Sequence, residues 1–183
     1  MTGATLRFVA GTHTFGATSI ITGAGTFTNV SDNANISIAG TYNFSGTTDL
    51  LGGVVSFNSN ASTRVLNLTG GTLAGGLFQH PTLSGSGEVT VTELLNWTTG
   101  GRMSGAGKTI INGQMTMNLS ADNSSSMEII GRTLNNAGTT TWLGGNISMT
   151  GNAVFNNLAG ATFEAQGNNS LSGSSSTLRN AGT

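Results

Sequence analysis

Three short phrases return through this chain of 183 residues at a nearly constant interval. Leu134-Asn-Asn-Ala-Gly138 is echoed by Phe155-Asn-Asn-Leu-Ala-Gly160 and Leu178-Arg-Asn-Ala-Gly182, whose leading apolar residues lie 21 and 23 apart. Ile21-Thr-Gly-Ala-Gly-Thr-Phe27 returns as Leu83-Ser-Gly-Ser-Gly-Glu-Val89, as Met103-Ser-Gly-Ala-Gly-Lys-Thr109 and, more loosely, as Met149-Thr-Gly-Asn-Ala-Val-Phe155. Those starts differ by 62, 20 and 46 residues, close to three, one and two units of 20–23. Paired glycines after an apolar residue make the third phrase, in Leu68-Thr-Gly-Gly-Thr-Leu73, Trp97-Thr-Thr-Gly-Gly-Arg-Met103 and Trp142-Leu-Gly-Gly-Asn-Ile147. The period is too short for a propeller blade of about 40 residues and suits one turn of a solenoid.

Between the glycines, apolar and small polar residues alternate, as in Ile36-Ser-Ile38, Val65-Leu-Asn-Leu68, Val89-Thr-Val91 and Met115-Thr-Met117. A period of two belongs to strands with one buried face. With 29 Gly, 29 Thr, 20 Ser and 20 Asn, strong helix formers are few, so a helical bundle or a doubly wound α/β domain is excluded. The pattern predicts an all-β fold: a single-stranded parallel β-helix, expected right-handed, with eight or nine rungs of 20–23 residues over residues 1–183. Residues 1–80 carry degenerate rungs and 81–183 clearer ones. Spacing of about 4.8 Å makes the rod roughly 40 Å long.

Inside such a rod, Phe15, Phe27, Phe44, Phe57, Phe78, Phe155, Phe163, Trp97 and Trp142 are expected to fill the core. Trp97 and Trp142 are also the best candidates for an exposed carbohydrate-stacking platform. Asn136, Asn157 and Asn180 occupy one position of the repeat, so their amides are predicted to stack as a hydrogen-bonded ladder along the axis. Paired glycines should supply turns that need positive φ.

Charged residues make up only 7% of the chain, with formal net charge -1. Arg7, Arg64, Arg102, Lys108, Arg132 and Arg179 are scattered singly, which gives no footprint for nucleic acid. There is no cysteine, hence no disulfide, thiolate zinc site or iron–sulfur cluster. No apolar run reaches a membrane span, and Met1-Thr-Gly-Ala-Thr-Leu-Arg-Phe8 has no signal-peptide pattern. An export signal is expected outside this chain, which ends on a phrase used earlier in mid-sequence and reads as a segment of something longer.

Several residues invite a chemical reading. Gly105-Ala-Gly-Lys-Thr109 looks like the end of a phosphate-binding loop, but Arg102 stands where that motif requires glycine, and no long helix follows. Lys108 is then an outward substituent of a repeat. His13 and His80 stand 67 residues apart without neighbouring ligands, so no metal or cofactor is expected. His80-Pro81 suits a bulge or a T-shaped loop between rungs. The acids Asp32, Asp49, Glu88, Glu93, Asp122, Glu128 and Glu164 are spread at about one per rung, without the clustering that glycoside or uronide cleavage needs. Thr12-His-Thr14, Thr26-Phe-Thr28, Thr90-Val-Thr92 and Thr139-Thr-Thr141 raise ice binding by a threonine face, though in irregular phase.

The stretch from Leu83 to Thr183 resembles the degenerate repeats of large bacterial surface proteins, the filamentous-haemagglutinin-like adhesins and autotransporter passengers. Leu83-Ser-Gly-Ser-Gly-Glu-Val-Thr-Val91, Trp97-Thr-Thr-Gly-Gly-Arg-Met-Ser-Gly-Ala-Gly107 and Gly131-Arg-Thr-Leu-Asn-Asn-Ala-Gly-Thr-Thr-Thr-Trp142 carry the likeness. It implies an extracellular or cell-surface stalk, fibre or adhesive segment with no catalytic residue. The expected partners are surface glycans or proteins, or further copies stacked end to end through unpaired rung edges. A carbohydrate-active enzyme or glycan-binding β-helix is the alternative.

Overall fold

The computed structural model describes residues 3–72, 78–98, 100–119 and 126–183. They form strands and turns without a helix, and all but one two-stranded hairpin belong to a single parallel stack. Each turn of the chain contributes three short strands, one to each of three faces, and then returns to the first face one level on. The first turn uses Thr5–Phe8, Gly11–Phe15 and Ile20–Gly23; the eighth uses Thr162–Ala165, Asn169–Gly173 and Thr177–Asn180. The expected β-solenoid is therefore a three-sided stack of eight rungs. The first 80 residues make the same three-strand rungs as the rest.

Parallel ladders place residues of successive rungs in columns. Along the first face Thr5 pairs with Thr26, Thr26 with Thr47, Thr47 with Val65, Val65 with Leu94, Leu94 with Gln114, Gln114 with Thr139 and Thr139 with Thr162. Rung length thus runs from 18 residues (Thr47 to Val65) to 29 (Val65 to Leu94), wider than the expected 20–23. The two longest rungs gain their extra residues at one corner, between the first and second faces. One insertion follows Thr69, where Gly71–Thr72 pairs antiparallel with Phe78–Gln79 just before His80-Pro81. That is the position expected for an emerging loop, whose residues 73–77 lie outside the described residues. The other follows Asn118 and precedes Met127; it holds Asp122, also outside the described residues.

Alternation sends every second residue inward. Columns such as Leu66–Leu95–Met115 on the first face and Leu83–Met103–Ile129–Met149 on the second are completely enclosed. Phe27, Phe44, Phe57, Phe155, Trp97 and Trp142 are buried, whereas Phe15 and Phe163 are only half-buried because they lie in the end rungs. Phe78 is described in its backbone alone. Aromatic rings run through the first rungs at 5.0–5.5 Å between centroids, from Phe8 to Phe27 to Tyr42 to Phe57, a range in which edge-on and tilted pairs are favourable.

The recurring glycines have two separate physical reasons. In two of the paired phrases one member takes positive φ, Gly100 (66°) and Gly145 (92°), and Gly53 (63°) of the further pair Gly52-Gly53 does the same. At Gly138 and Gly182, which close Asn-Ala-Gly phrases, and at Gly46 the reason is close approach, whereas Gly160 takes positive φ (85°) with nothing near its Cβ position. A Cβ on Gly138 would penetrate the carbonyl oxygen of Gly113 one rung back, and a Cβ on Gly46 that of Gly25. Gly138→Ala is expected to lower stability by about 2 kcal/mol, a fall in Tm of roughly 4–8 °C. Gly16→Ala, where a Cβ meets nothing within 4 Å, is expected to stay within about 0.5 kcal/mol. Thermal melts of the two variants compare them directly.

Candidate functional site: axial side-chain ladders and an open end

Side chains that share a column sit one strand spacing apart, so polar groups bond along the axis. Asn136, Asn157 and Asn180 share an inward column at the end of the third face. The Asn136 Nδ2 donates to Asn157 Oδ1 at 2.7 Å, and Asn157 Nδ2 to Asn180 Oδ1 at 2.7 Å. Each amide also serves its own corner: Asn136 Nδ2 donates to the Thr162 carbonyl, and Asn136 Oδ1 accepts from Gly138 N. The stacked amides thereby satisfy backbone groups that would otherwise be enclosed without partners. A second, outward ladder was not expected: Asn96 Nδ2 donates to Asn67 Oδ1 (2.8 Å) and Asn67 Nδ2 to Asp49 Oδ1 (2.6 Å).

Charged side chains follow the same rule. Glu88 stacks on Lys108 at 2.8 Å, and Arg102 on Glu128 at 2.7 Å, each pair in register on adjacent rungs. Arg64 meets Glu93 at 2.8 Å at the corner between the third and first faces. Glu88 and Glu93, the closest pair of acids in the sequence, therefore go to separate basic partners. Among the described residues no three His, Asp or Glu side chains approach closely enough to hold a metal ion. His13 bonds the Ala10 carbonyl and tilts against Phe8.

Among the singly scattered basic residues, Arg132 is the one that the fold encloses. It is completely buried, without a carboxylate partner. Its Nε donates to Thr109 Oγ1 (2.8 Å), Nη1 to the carbonyls of Gly85 and Ser104 (both 3.1 Å), and Nη2 to those of Gly87 (3.2 Å) and Lys108 (2.9 Å). All five guanidinium N–H groups are thus used. The register that pairs Lys108 with Thr133 places Arg132 in the column of Gly107, and the pairing of Glu88 with Lys108 adds Gly87. Two successive glycines leave that column hollow, and the arginine reaches back through it across two rungs. A Cβ on Gly107 would meet the Gly87 carbonyl and come within 2.8 Å of Arg132 Nη1. The turn that mimics a phosphate loop is therefore filled by the protein's own cation. Burial pulls the Arg132 pKa down from its ordinary value to about 10, so the group remains charged at neutral pH.

Removing that guanidinium would take a charged donor from four carbonyls, of which those of Gly85 and Gly87 retain backbone donors from Gly107 and Lys108. Arg132→Ala is expected to destabilise by about 3 kcal/mol, a fall in Tm of roughly 6–12 °C. Arg132→Lys should recover only part of this, since three ammonium donors cannot serve five acceptors in a planar fork. Calorimetry of the two variants tests the ranking.

Tyr42, the chain's single tyrosine, is enclosed with its hydroxyl 2.6 Å from Thr48 Oγ1, which in turn lies 2.8 Å from Thr63 Oγ1. Burial raises its pKa far above the ordinary value of 10.0; Asp49 adds to the rise and the Thr48 bond opposes it. A folded-state pKa above the unfolded one gives stability that is complete below the unfolded pKa and is lost as pH rises beyond it. Phenolate absorbance near 295 nm should therefore be absent from the native protein at about pH 10–11 and appear only together with unfolding.

The remaining sequence candidates are placed by the same frame. Trp97 has no exposed surface and donates its indole N–H to Gly101 O at 2.8 Å; Trp142 is 5% exposed. Neither ring presents a face to solvent, so the stacking platform considered for this pair is not available to either. The threonine phrases fall on all three faces: Thr12 and Thr14 on the second, Thr26, Thr28, Thr139 and Thr141 on the first, Thr90 on the third. No two of these phrases stack on adjacent rungs. A hollow of about 460 Å³ opens at the first rung, lined by Leu6, Phe15, Ile20, Ile21 and Phe44. It is the uncovered end of the core. Comparison of the chain with protein-family models, with curated proteins and with solved structures gave no match.

Proposed function

We propose that this chain is a segment of an extracellular structural or adhesive rod, a stalk or fibre element that carries load along its axis and performs no chemistry of its own. The reading is supported above all by the direction of the side-chain interactions. The Asn136–Asn157–Asn180 ladder, the Glu88–Lys108 and Arg102–Glu128 pairs and the five bonds of Arg132 all join one rung to another along the axis. Groups that an enzyme would gather across a groove are here distributed between rungs. Repeats stacked in this way add stability in series, as suits an extended element. A chain without cysteine and with little charge is compatible with exposure outside the cell, and the likeness of its phrases to bacterial surface repeats favours that location.

Incubation with acidic and neutral polysaccharides, read as release of reducing ends, together with a glycan-binding array, tests the proposal. The expected result is no turnover. Turnover that co-purifies with the chain and disappears in Glu88→Gln or Glu93→Gln would replace the rod by the carbohydrate-active alternative.

A further inference from the structure

At the corner between the third and first faces, packing asks for glycine in most of the rungs. As at Gly46, Gly138 and Gly182, a Cβ on Gly25 would meet the Ala4 carbonyl and one on Gly113 the Glu93 carbonyl, each one level back. The residue ahead of that glycine is under no such constraint. It is Ala24, Ser45, Ala137 and Ala181 at four of these corners. Between strands Lys108–Ile111 and Gln114–Asn118 it is Asn112, which makes Asn112-Gly113 the only Asn-Gly step in the sequence.

We propose that Asn112 is a site of spontaneous deamidation, at which the backbone nitrogen of Gly113 closes on the Asn112 side chain. Asn112 is exposed, and among the described residues its carboxamide has no hydrogen-bond partner. The ladder amides of Asn67, Asn96, Asn136 and Asn157 are by contrast each held by a neighbouring rung. Gly113 carries no Cβ to obstruct the approach. Its nitrogen also lacks a restraint found at related corners. There the glycine N–H donates to the ladder amide two residues earlier, Gly138 N to Asn136 Oδ1 and Gly182 N to Asn180 Oδ1, both at 3.2 Å. Ahead of Gly113 the same column holds Ile111, which offers no acceptor. Both reacting groups belong to one corner, so the step is intramolecular and needs only rotation of an exposed side chain.

The Gly113 nitrogen bonds Asn112 Cγ, the Cγ–Nδ2 bond breaks, and Nδ2 leaves as ammonia with the proton that Gly113 N gives up. A five-membered succinimide remains. Water then opens the ring: addition at Cγ leaves aspartate in the ordinary chain, and addition at the Asn112 backbone carbonyl leaves isoaspartate, whose chain runs through Cβ and Cγ. Nothing is oxidised or reduced, and water is the sole co-reactant. The two products act differently on the stack. Aspartate adds a charge at an exposed position. Isoaspartate adds one backbone carbon to a two-residue corner whose ends are fixed, since Asn112 N donates to Val91 O (3.0 Å) and Gly113 O accepts from Thr139 N (3.0 Å). Gly138 rests on the carbonyls of both residues. The lengthened corner cannot keep these contacts in register, so the modification weakens the rod at an inner rung.

Prolonged incubation of the folded chain in warm neutral buffer, followed by peptide mapping with mass spectrometry and isoaspartate detection, tests this. Asn33 and Asn152 are the internal comparison, since each is exposed and followed by alanine. Asn112 is expected to convert about tenfold faster than either, with isoaspartate among the products. Asn112→Ala, which installs the residue found ahead of Gly138 and Gly182, should abolish the conversion and melt like the parent. Asn112→Asp supplies the charge without the extra carbon and should also melt like the parent, whereas the isolated isoaspartate form should melt roughly 2–4 °C lower. Conversion of Asn112 at the rate of Asn33 and Asn152, or only after denaturation, would overturn the proposal, because the corner would then protect the pair. An isoaspartate form as stable as the parent would overturn the weakening of the stack. None of these readouts involves polysaccharide turnover, so failure here is distinct from failure of the rod reading.

Discussion

Backbone hydrogen bonds between rungs govern this molecule, because they oblige each residue to be compatible with the one directly above and below it at about 4.8 Å. Like charges at that distance repel, and an isolated charge next to a Thr or Asn column gains nothing. Charge is accordingly sparse, and where Glu88, Lys108, Arg102 and Glu128 occur they alternate in sign along a column. Amides suit the constraint better than any charged group, since each can donate to one neighbour and accept from the other. The abundance of Asn follows from that reciprocity, and the abundance of Gly from corners such as Gly113–Gly138, where one rung's backbone rests on the carbonyl of the last.

Arg132 shows how the column constraint can admit a residue that composition alone would place on the surface. A buried guanidinium is tolerable only if its donors are all satisfied. Here four of the five acceptors are carbonyls of two glycine-rich corners, and Gly87 and Gly107 have left the channel empty. The lowered pKa records the desolvation that these bonds offset. The side chain ties the corners of three successive rungs together, and it does so where the third rung has lost one residue of the Gly-x-Gly turn.

Much of this was legible in the sequence because the repeat is itself the structural unit. Alternation located the inward residues, and the phrase Asn-Ala-Gly placed Asn136 and Asn180 in one column with Asn157. Rung length was read too narrowly because extra residues collect at a single corner, after Thr69 and after Asn118, where they leave the ladders on either side undisturbed. The Asp49–Asn67–Asn96 ladder escaped notice since its three members stand in dissimilar local phrases and become equivalent only through the register. Arg132 had a faint signal, a long residue in phase with two glycines, but its reach across two rungs is not a local property. Phe15 and Phe163 belong to the same pattern as the other aromatic residues, and their partial exposure reflects position in the stack.

Position in the stack is also what separates the ends from the faces. Every inner rung pairs its backbone with neighbours on both sides, so the faces present mostly Thr, Ser and Asn, some of them bonded along the axis as in Asn156–Asn135 and Ser104–Ser84, and such a surface discriminates poorly between partners. The first and eighth rungs have strands paired on one side only, with Leu6 and Leu178 exposed. Specific recognition requires groups whose needs are unmet by their own fold. In a solenoid whose backbone hydrogen bonds run along the axis, such groups are scarce on its faces, and the few that remain there, such as the exposed Ile130, Leu143 and Leu158, stand apart from the polar columns around them.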